Sequence, residues 1–217
     1  MFTPRPFHET DQDRLHDLID AHSFGILVAH TPQGGPEISH LPFLLDRDAG
    51  QHGSLRVHVA RANPIWRAAQ EGRVVAIFSG PDAYVSPRWY ERPLEQVPTW
   101  NYAVVHAHGR ASEPMPPAEL RKLVEDLAAR HEAGAAAPWR LSDLDPPFIS
   151  DLLERIVGFT ITIDHLEGKL KLSQNRSTTD RLRVLEALAE RGNPADTALV
   201  DLMRAGGIQG TPSKPFL

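Results

Sequence analysis

The sequence predicts a mainly β fold with peripheral helices, an α+β arrangement built around an antiparallel barrel. Two observations lead there. Six or seven segments alternate apolar and polar residues or are rich in β-branched ones, and most are joined by hairpin-length turns. The helical periodicities sit around these segments without the regular strand–helix alternation of a doubly wound sheet. No Gly-x-Gly-x-x-Gly follows a strand and no Walker loop is present, so nucleotide binding by either device is excluded.

From the N-terminus, Thr10 to His22 carries Leu15, Leu18 and Ile19 at helical spacing, with acidic residues near its start, where the helix dipole favours them. A strand follows over Phe24 to His30. The turn Thr31 to Pro36 leads into a second strand, Glu37 to Asp46. Pro42 lies inside it and cannot donate to a ladder, so this strand belongs at an edge or is bulged there. Ser54 to Ala60 alternates, with Leu55, Val57 and Val59 on one face and Arg56, His58 and Ala60 on the other. Asn63-Pro64 reads as a helix start, with Asn63 as N-cap and proline in the first turn. That short helix ends near Gly72.

Arg73 to Ser79 reads as a buried strand, and Asp82 to Ser86 as a further short one. Asn101 to Ser112 is a long strand. One face carries Ala103, Val105, Ala107 and Gly109, the other Tyr102, Val104, His106, His108 and Arg110. A helix from Pro114–Pro117 to about His131 shows the stripe Leu120, Leu123, Val124, Leu127. A short helix around Phe148 to Glu154 and a last strand, Ile156 to Asp164, follow. Two helices, Thr179 to Arg191 and Asn193-Pro194 to Arg204, close the chain before a tail from Gly206, read as disordered. The domain expectation is one unit over 1–176, a helical pair over 177–205 packed on the barrel or on a dimer partner, and the tail 206–217.

Composition narrows the function. The 217 residues are 41% hydrophobic and 24% charged, ordinary for a globular chain. The net charge of −5 gives no global pull toward nucleic acid or anionic membrane. Without cysteine there is no disulfide, thiolate metal site or thiol catalysis. The N-terminus lacks the pattern of a signal peptide, and no apolar run is long enough for a membrane span. A cytoplasmic protein without membrane partners is expected.

Four constellations could carry chemistry. In Arg56 to Pro64, Arg56 and His58 share a face, Arg61 ends the strand and Asn63 opens a helix, an arrangement suited to a phosphate. It suits equally a solvated strand face with an ordinary cap. In Lys169 to Arg176, two lysines two apart precede Ser173, Gln174 and Asn175, which can donate to an anion or to a heteroaromatic edge. An ordinary basic surface is the alternative. Tyr84, Ser86, Trp89, Tyr90, Trp100, Asn101 and Tyr102 form an aromatic group fit for stacking, a partner subunit or the core, with Trp89 and Trp100 nearest a ligand. His106 and His108 share a face, but no third ligand is recognisable in the sequence, and no metal is expected. The C-terminal pair has Arg181, Arg183, Arg191 and Arg204 against Asp180, Glu186, Glu190, Asp196 and Asp201, slightly acidic where a DNA reader is basic. No Ser/His/Asp arrangement or close carboxylate pair announces a hydrolase.

Six segments in order resemble the PaiB-type family of flavin mononucleotide (FMN)-binding negative transcriptional regulators. They are Met1 to Pro4, Ser39 to Phe43, His58 to Pro64, Phe78 to Pro87, Val97 to Tyr102 and Lys171 to Asn175. The resemblance implies an FMN-binding split β-barrel related to pyridoxamine-phosphate oxidases and flavin reductases, with FMN at a homodimer interface. It places Ser39, His40, His58, Arg61, Asn63, Ser86, Trp100, Asn101, Lys171, Ser173, Gln174 and Asn175 at the cofactor. The Arg61/Asn63 and Lys171–Asn175 segments are then contributed by different subunits. It also implies transcriptional regulation, with DNA as a partner. The alternatives are a flavin-dependent oxidoreductase on the same scaffold without direct DNA binding, and a barrel that has lost its cofactor.

Overall fold

A computed structural model of the chain describes residues 1–31 and 34–206. The tail expected from Gly206 falls, beyond that residue, outside the described residues, as do Pro32 and Gln33 of the turn before the second long strand. The strands are β1 (His8–Glu9), β2 (Phe24–His30), β3 (Pro36–Pro42), β4 (Leu44–Asp46), β5 (Ser54–Ala60), β6 (Arg73–Val85), β7 (Thr99–Ala111) and β8 (Ile156–Lys171). The helices are α1 (Gln12–Ala21), α2 (Ile65–Glu71), α3 (Pro117–Glu132), α4 (Pro146–Glu154), α5 (Thr178–Arg191) and α6 (Pro194–Ala205). Short 3₁₀ turns add Arg5–Phe7, Pro87–Trp89, Pro93–Glu95 and Leu141–Asp143.

The strands form one sheet in the order β3-β2-β6-β7-β8-β5-β4, with β1 added on β8. The pairings β1–β8, β2–β3, β2–β6, β4–β5 and β5–β8 are antiparallel. Pro42 does what proline imposes on a strand. It ends β3, which is an edge strand, and the chain breaks at Phe43 before resuming as β4, so the single strand expected over 37–46 is two. Gly80-Pro81 does not break its strand: the two pieces expected over 73–86 are one 13-residue strand, β6. The last strand runs seven residues past Asp164, to Lys171, and takes in the basic segment.

The chain resolves into two compact units. One comprises Gln12–Phe78 and His106–Leu166, the other Met1–Asp11, Ser79–Val105 and the chain from Glu167. In the first, the inward positions of β2, β5 and β8 (Leu27, Leu55, Val57, Val59, Phe159, Ile161) are buried together with Ile19, Ile65 and Phe78. Phe43 meets Phe78 edge-on with ring centroids 5.3 Å apart. Gly109 and Gly158 are close-approach positions. A Cβ at Gly109 would collide with Thr162 O, and one at Gly158 would sit 2.8 Å from Leu120 Cδ1 and 3.0 Å from Met115 Sδ. The second unit buries Phe7, Val85, Tyr90, Leu170 and Leu172 alongside Val184, Leu185, Leu188, Leu199 and Met203 of α5 and α6. Ser177 and Asn193 cap these two helices through Asp180 N and Asp196 N, and Gly192 takes the left-handed position between them (φ 63°). Inside their turn Asp196, 1% exposed, accepts from Nε and Nη2 of Arg191, both at 2.5 Å.

Candidate functional site

The unit containing the end of β8 holds the strongest cluster. Ser173 ends the extended run with φ 65°, the only positive φ at a non-glycine residue among the described residues. Such a backbone costs about 1 kcal/mol or more and persists only when its surroundings hold it. Here they do. Ser173 is buried, and its Oγ accepts from Nδ2 of the equally buried Asn101 at 3.0 Å. Gln174 folds back on its own strand end, Oε1 accepting from Leu172 N at 2.6 Å and Nε2 donating to Leu170 O at 2.5 Å. Arg176 N donates to Ser173 O and closes the turn. Asn175, by contrast, is exposed and its side chain engages no other described residue.

Three cations sit in this segment. Lys169 Nζ donates to Phe2 O at 3.1 Å and lies 5.3 Å from the Tyr102 ring centroid. Lys171 Nζ donates to Thr99 Oγ1 and Trp100 O, both at 2.5 Å. Arg176 donates to Gln96 Oε1 at 2.5 Å and stacks over the buried Tyr90 ring, 4.8 Å from its centroid. None of the three forms an ion pair among the described residues. Burial, then the charges of Lys169 and Arg176, hold the Lys171 amine below its ordinary value. Trp100 is 53% exposed, with Tyr84 edge-on at 6.0 Å. Ser86 caps the following 3₁₀ turn, its Oγ accepting from Arg88 N at 3.3 Å.

The other unit treats its predicted residues differently. Asn63 Nδ2 donates to Ser39 Oγ, and Asn63 Oδ1 accepts from Ile65 N, each at 3.0 Å. Asn63 thus caps, although α2 begins at Ile65 with Pro64 already helical. The expectation of a phosphate-accepting helix start needs correction here: α2 has only seven residues, and the Ile65 N–H is already taken. Arg61 is also engaged, Nε donating to Glu154 O at 2.6 Å and Nη2 to Ile156 O at 3.0 Å, which ties the end of β5 to the α4–β8 junction. Three of its five N–H groups remain for another acceptor.

Ser39 and His40 are consecutive on β3 and so point to opposite faces; Asn63 meets only Ser39. The face of β5 carrying Arg56 and His58 is not solvated. Arg56 pairs with Asp126 of α3 at 2.8 Å, and His58 is in register with Gly158, over which Leu120 and Leu123 of α3 lie. His58 Nδ1 is buried without a hydrogen-bond partner, and burial lowers the imidazole below its ordinary value.

Within one unit, then, the structure gathers Lys171, Ser173, Gln174, Asn101 and Trp100; within the other, Ser39 with Asn63. Arg176, Tyr90, Gln96, Thr99 and Lys169 belong beside the predicted set and were missing from it. Arg176 was legible as the last cation of the basic run. Gln96 and Thr99 carried no signal, because their place depends on contacts 80 and 72 residues away in the chain.

Residues 1–165 match the family described as "Putative FMN-binding domain". The chain belongs to this family. FMN is the cofactor of the domain, and the donor set fits it: three cations without carboxylate partners among the described residues suit a phosphate, and the exposed Asn175 amide can donate and accept. Over 204 residues the chain is 35% identical to the protease synthase and sporulation protein PAI 2 of Bacillus subtilis (strain 168), covering 94% of this chain and 96% of that one. Among solved structures it is similar to the FAD and heme binding protein from Mycobacterium smegmatis (TM-score 0.54, 19% identity, 76% of this chain and 73% of that one). It is also similar to the flavocytochrome Anf3 from Azotobacter vinelandii (TM-score 0.54, 15% identity, 76% and 69%). The fold is the split β-barrel that the family resemblance implied. Among the described residues no helix is long and apolar enough to cross a membrane.

Proposed function

We propose that the chain works as an FMN-binding homodimer of the PaiB type and acts as a negative transcriptional regulator. One observation carries the cofactor assignment: Lys169, Lys171 and Arg176 lie in one segment with no carboxylate among the described residues to neutralise them. A folded chain seldom leaves three partly buried cations unpaired unless an anion completes the set. Lys171, Ser173, Gln174 and Asn175 hold the phosphate end or the ring edge, with Asn101 fixing the strained Ser173. Trp100 offers a flat apolar face, and Ser86 borders it. From the other unit Arg61, which keeps three N–H groups beyond those bound to Glu154 O and Ile156 O, is the donor left for the phosphate. A second subunit supplies one of the two halves, and the exposed Tyr84, Leu94, Val97 and Trp100 support such a contact. Bound FMN supplies one- and two-electron redox chemistry. The protein's part is to bind it, orient it and limit its contact with water.

The absorption spectrum and solution mass of the untreated protein test this reading first. A yellow dimer is expected; a colourless monomer that ignores added FMN ends it. Salt-sensitive, sequence-selective DNA retention by the FMN-loaded dimer would support the regulatory role. Turnover of NADH or NADPH without DNA retention would instead assign a flavin oxidoreductase on the same scaffold. That second reading has support from α5 and α6, whose four arginines face five acidic groups, with Arg191 already committed to Asp196.

A further inference from the structure

β2 and β6 lack the alternation of a strand with one wet face. In β8 the buried Phe159, Ile161 and Ile163 alternate with Thr160, Thr162 and Asp164, one face in the core and the other toward water. In β2 the buried Leu27 and Ala29 alternate instead with Phe24, Ile26 and Val28. In β6 the buried Val74, Ala76 and Phe78 alternate with Val75 and Ile77. Strands that are apolar on both sides are normally covered on both. Strand pairing gathers the outward residues into one face. Ile26 stands between His40 of β3 and Ile77 of β6, Val28 stands between Ile38 and Val75, and Phe24 lies opposite Pro42. Phe24 is 68% exposed and Ile38 55%, while Ile26, Val28, Val75 and Ile77 are half-buried. All six apolar residues belong to the same compact unit.

We propose that this outward face of β3, β2 and β6 packs on the same face of a second copy of the chain, an assignment that rests on the homodimer reading above and names its surface. A two-fold contact uses the same patch on both partners, so the patch must match itself. This one does. No charge lies among Phe24, Ile26, Val28, Ile38, Val75 and Ile77, so two copies that each carry a net charge of −5 meet here without opposing like charges. Five of these six side chains are β-branched, and their stiffness keeps the entropy lost on contact small. Two such faces stack about 10 Å apart, as the layers of a β-sandwich do. Three strands about 4.8 Å apart, with five residues of β2 at about 3.4 Å each, give roughly 250 Å² per copy. A stable contact buries about 800 Å² on each partner, so this face forms its dry centre and polar residues complete it. The exposed His30, His40 and Arg73, the last paired with Asp164, border the patch and supply part of that rim.

The test measures the mass of the full-length, untreated protein by sedimentation equilibrium over a range of concentrations. A dimer is expected. Ile38→Lys and Phe24→Lys should each raise its dissociation constant at least a hundredfold, because the two-fold axis puts two buried ammonium groups into one apolar contact. Leu152→Lys, on an exposed position of α4, should leave the constant within threefold. Both Ile38 and Phe24 are more than half exposed in the single chain, so the variants keep its core, and circular dichroism checks that they do. Should Ile38→Lys fail to fold, Phe24→Lys decides alone. A dimeric parent whose folded Ile38→Lys and Phe24→Lys variants remain equally dimeric overturns this surface and leaves the homodimer standing. A monomeric parent overturns both.

Discussion

Replacing Lys171 by alanine isolates the charge on which FMN binding most depends. Its ammonium spends two N–H groups on neutral oxygens, Thr99 Oγ1 and Trp100 O, and meets no carboxylate among the described residues. One N–H and the whole charge remain for an anion. A lost charge-assisted hydrogen bond costs about 1.5–3 kcal/mol, or roughly 10- to 150-fold in Kd. Burial chiefly, and then repulsion from Lys169 and Arg176, depresses the Lys171 pKa, and a bound phosphate relieves that repulsion. The free protein should hardly notice the change, since alanine removes two ordinary hydrogen bonds and the same repulsion together. Flavin-fluorescence titration gives Kd, and thermal unfolding with and without FMN gives the linked stabilisation. At a free FMN concentration of 100 parental Kd, that stabilisation is about 2.7 kcal/mol, and a tenfold weaker variant retains about 1.4 kcal/mol. A Kd within twofold of the parent would refute the reasoning.

Three further outcomes follow from the geometry. Gly109→Ala drives a Cβ into Thr162 O across the sheet, so chemical denaturation should show a loss of about 3 kcal/mol or more, and an unchanged midpoint would contradict the close approach. Asp196→Ala removes the hydrogen-bond partner that chiefly raises the Arg191 pKa; because Arg191 is 37% exposed and can turn to water, a loss of about 1–2 kcal/mol is expected in urea unfolding. Burial holds the folded His58 below the ordinary 6.5, so on acidification the unfolded chain takes up a proton first. Stability from this group is therefore intact above about pH 6.5, falls as pH drops through the window below it, and levels off under the folded value. His22, also lowered by burial, has the same sign, so His58→Gln should flatten the pH–stability curve without abolishing its slope.

Much of the secondary structure was legible because its signals are local. The alternation in Ser54 to Ala60, the stripe Leu120, Leu123, Leu127 and the helix start at Asn193 each act within a few residues, and each sits where the sequence put it, to within a residue or two. The misjudged lengths of β3, β6 and β8 were not local questions. A proline stops one strand and is tolerated in another according to which neighbour needs its missing N–H, and that is known only when the sheet is assembled.

The candidate site divides along the same line. Residue chemistry marked Lys171, Ser173, Gln174 and Asn175 as fit for an anion, and six ordered segments carried the family and its cofactor. Whether a donor is already engaged was invisible in sequence. Arg61 turned out to hold the backbone of Glu154 and Ile156, and His58 lies on a face covered by α3, while Lys171 remains without a counter-charge. The sequence by itself determined which chemical groups the chain owns and which short elements they ride on, because propensity, alternation and capping are settled between near neighbours. Only the tertiary structure decided which of those groups are consumed by the fold and which are left for a ligand. Their partners, Thr99 for Lys171, Asn101 for Ser173 and Asp126 for Arg56, lie tens of residues away and meet them only through strand pairing and helix packing.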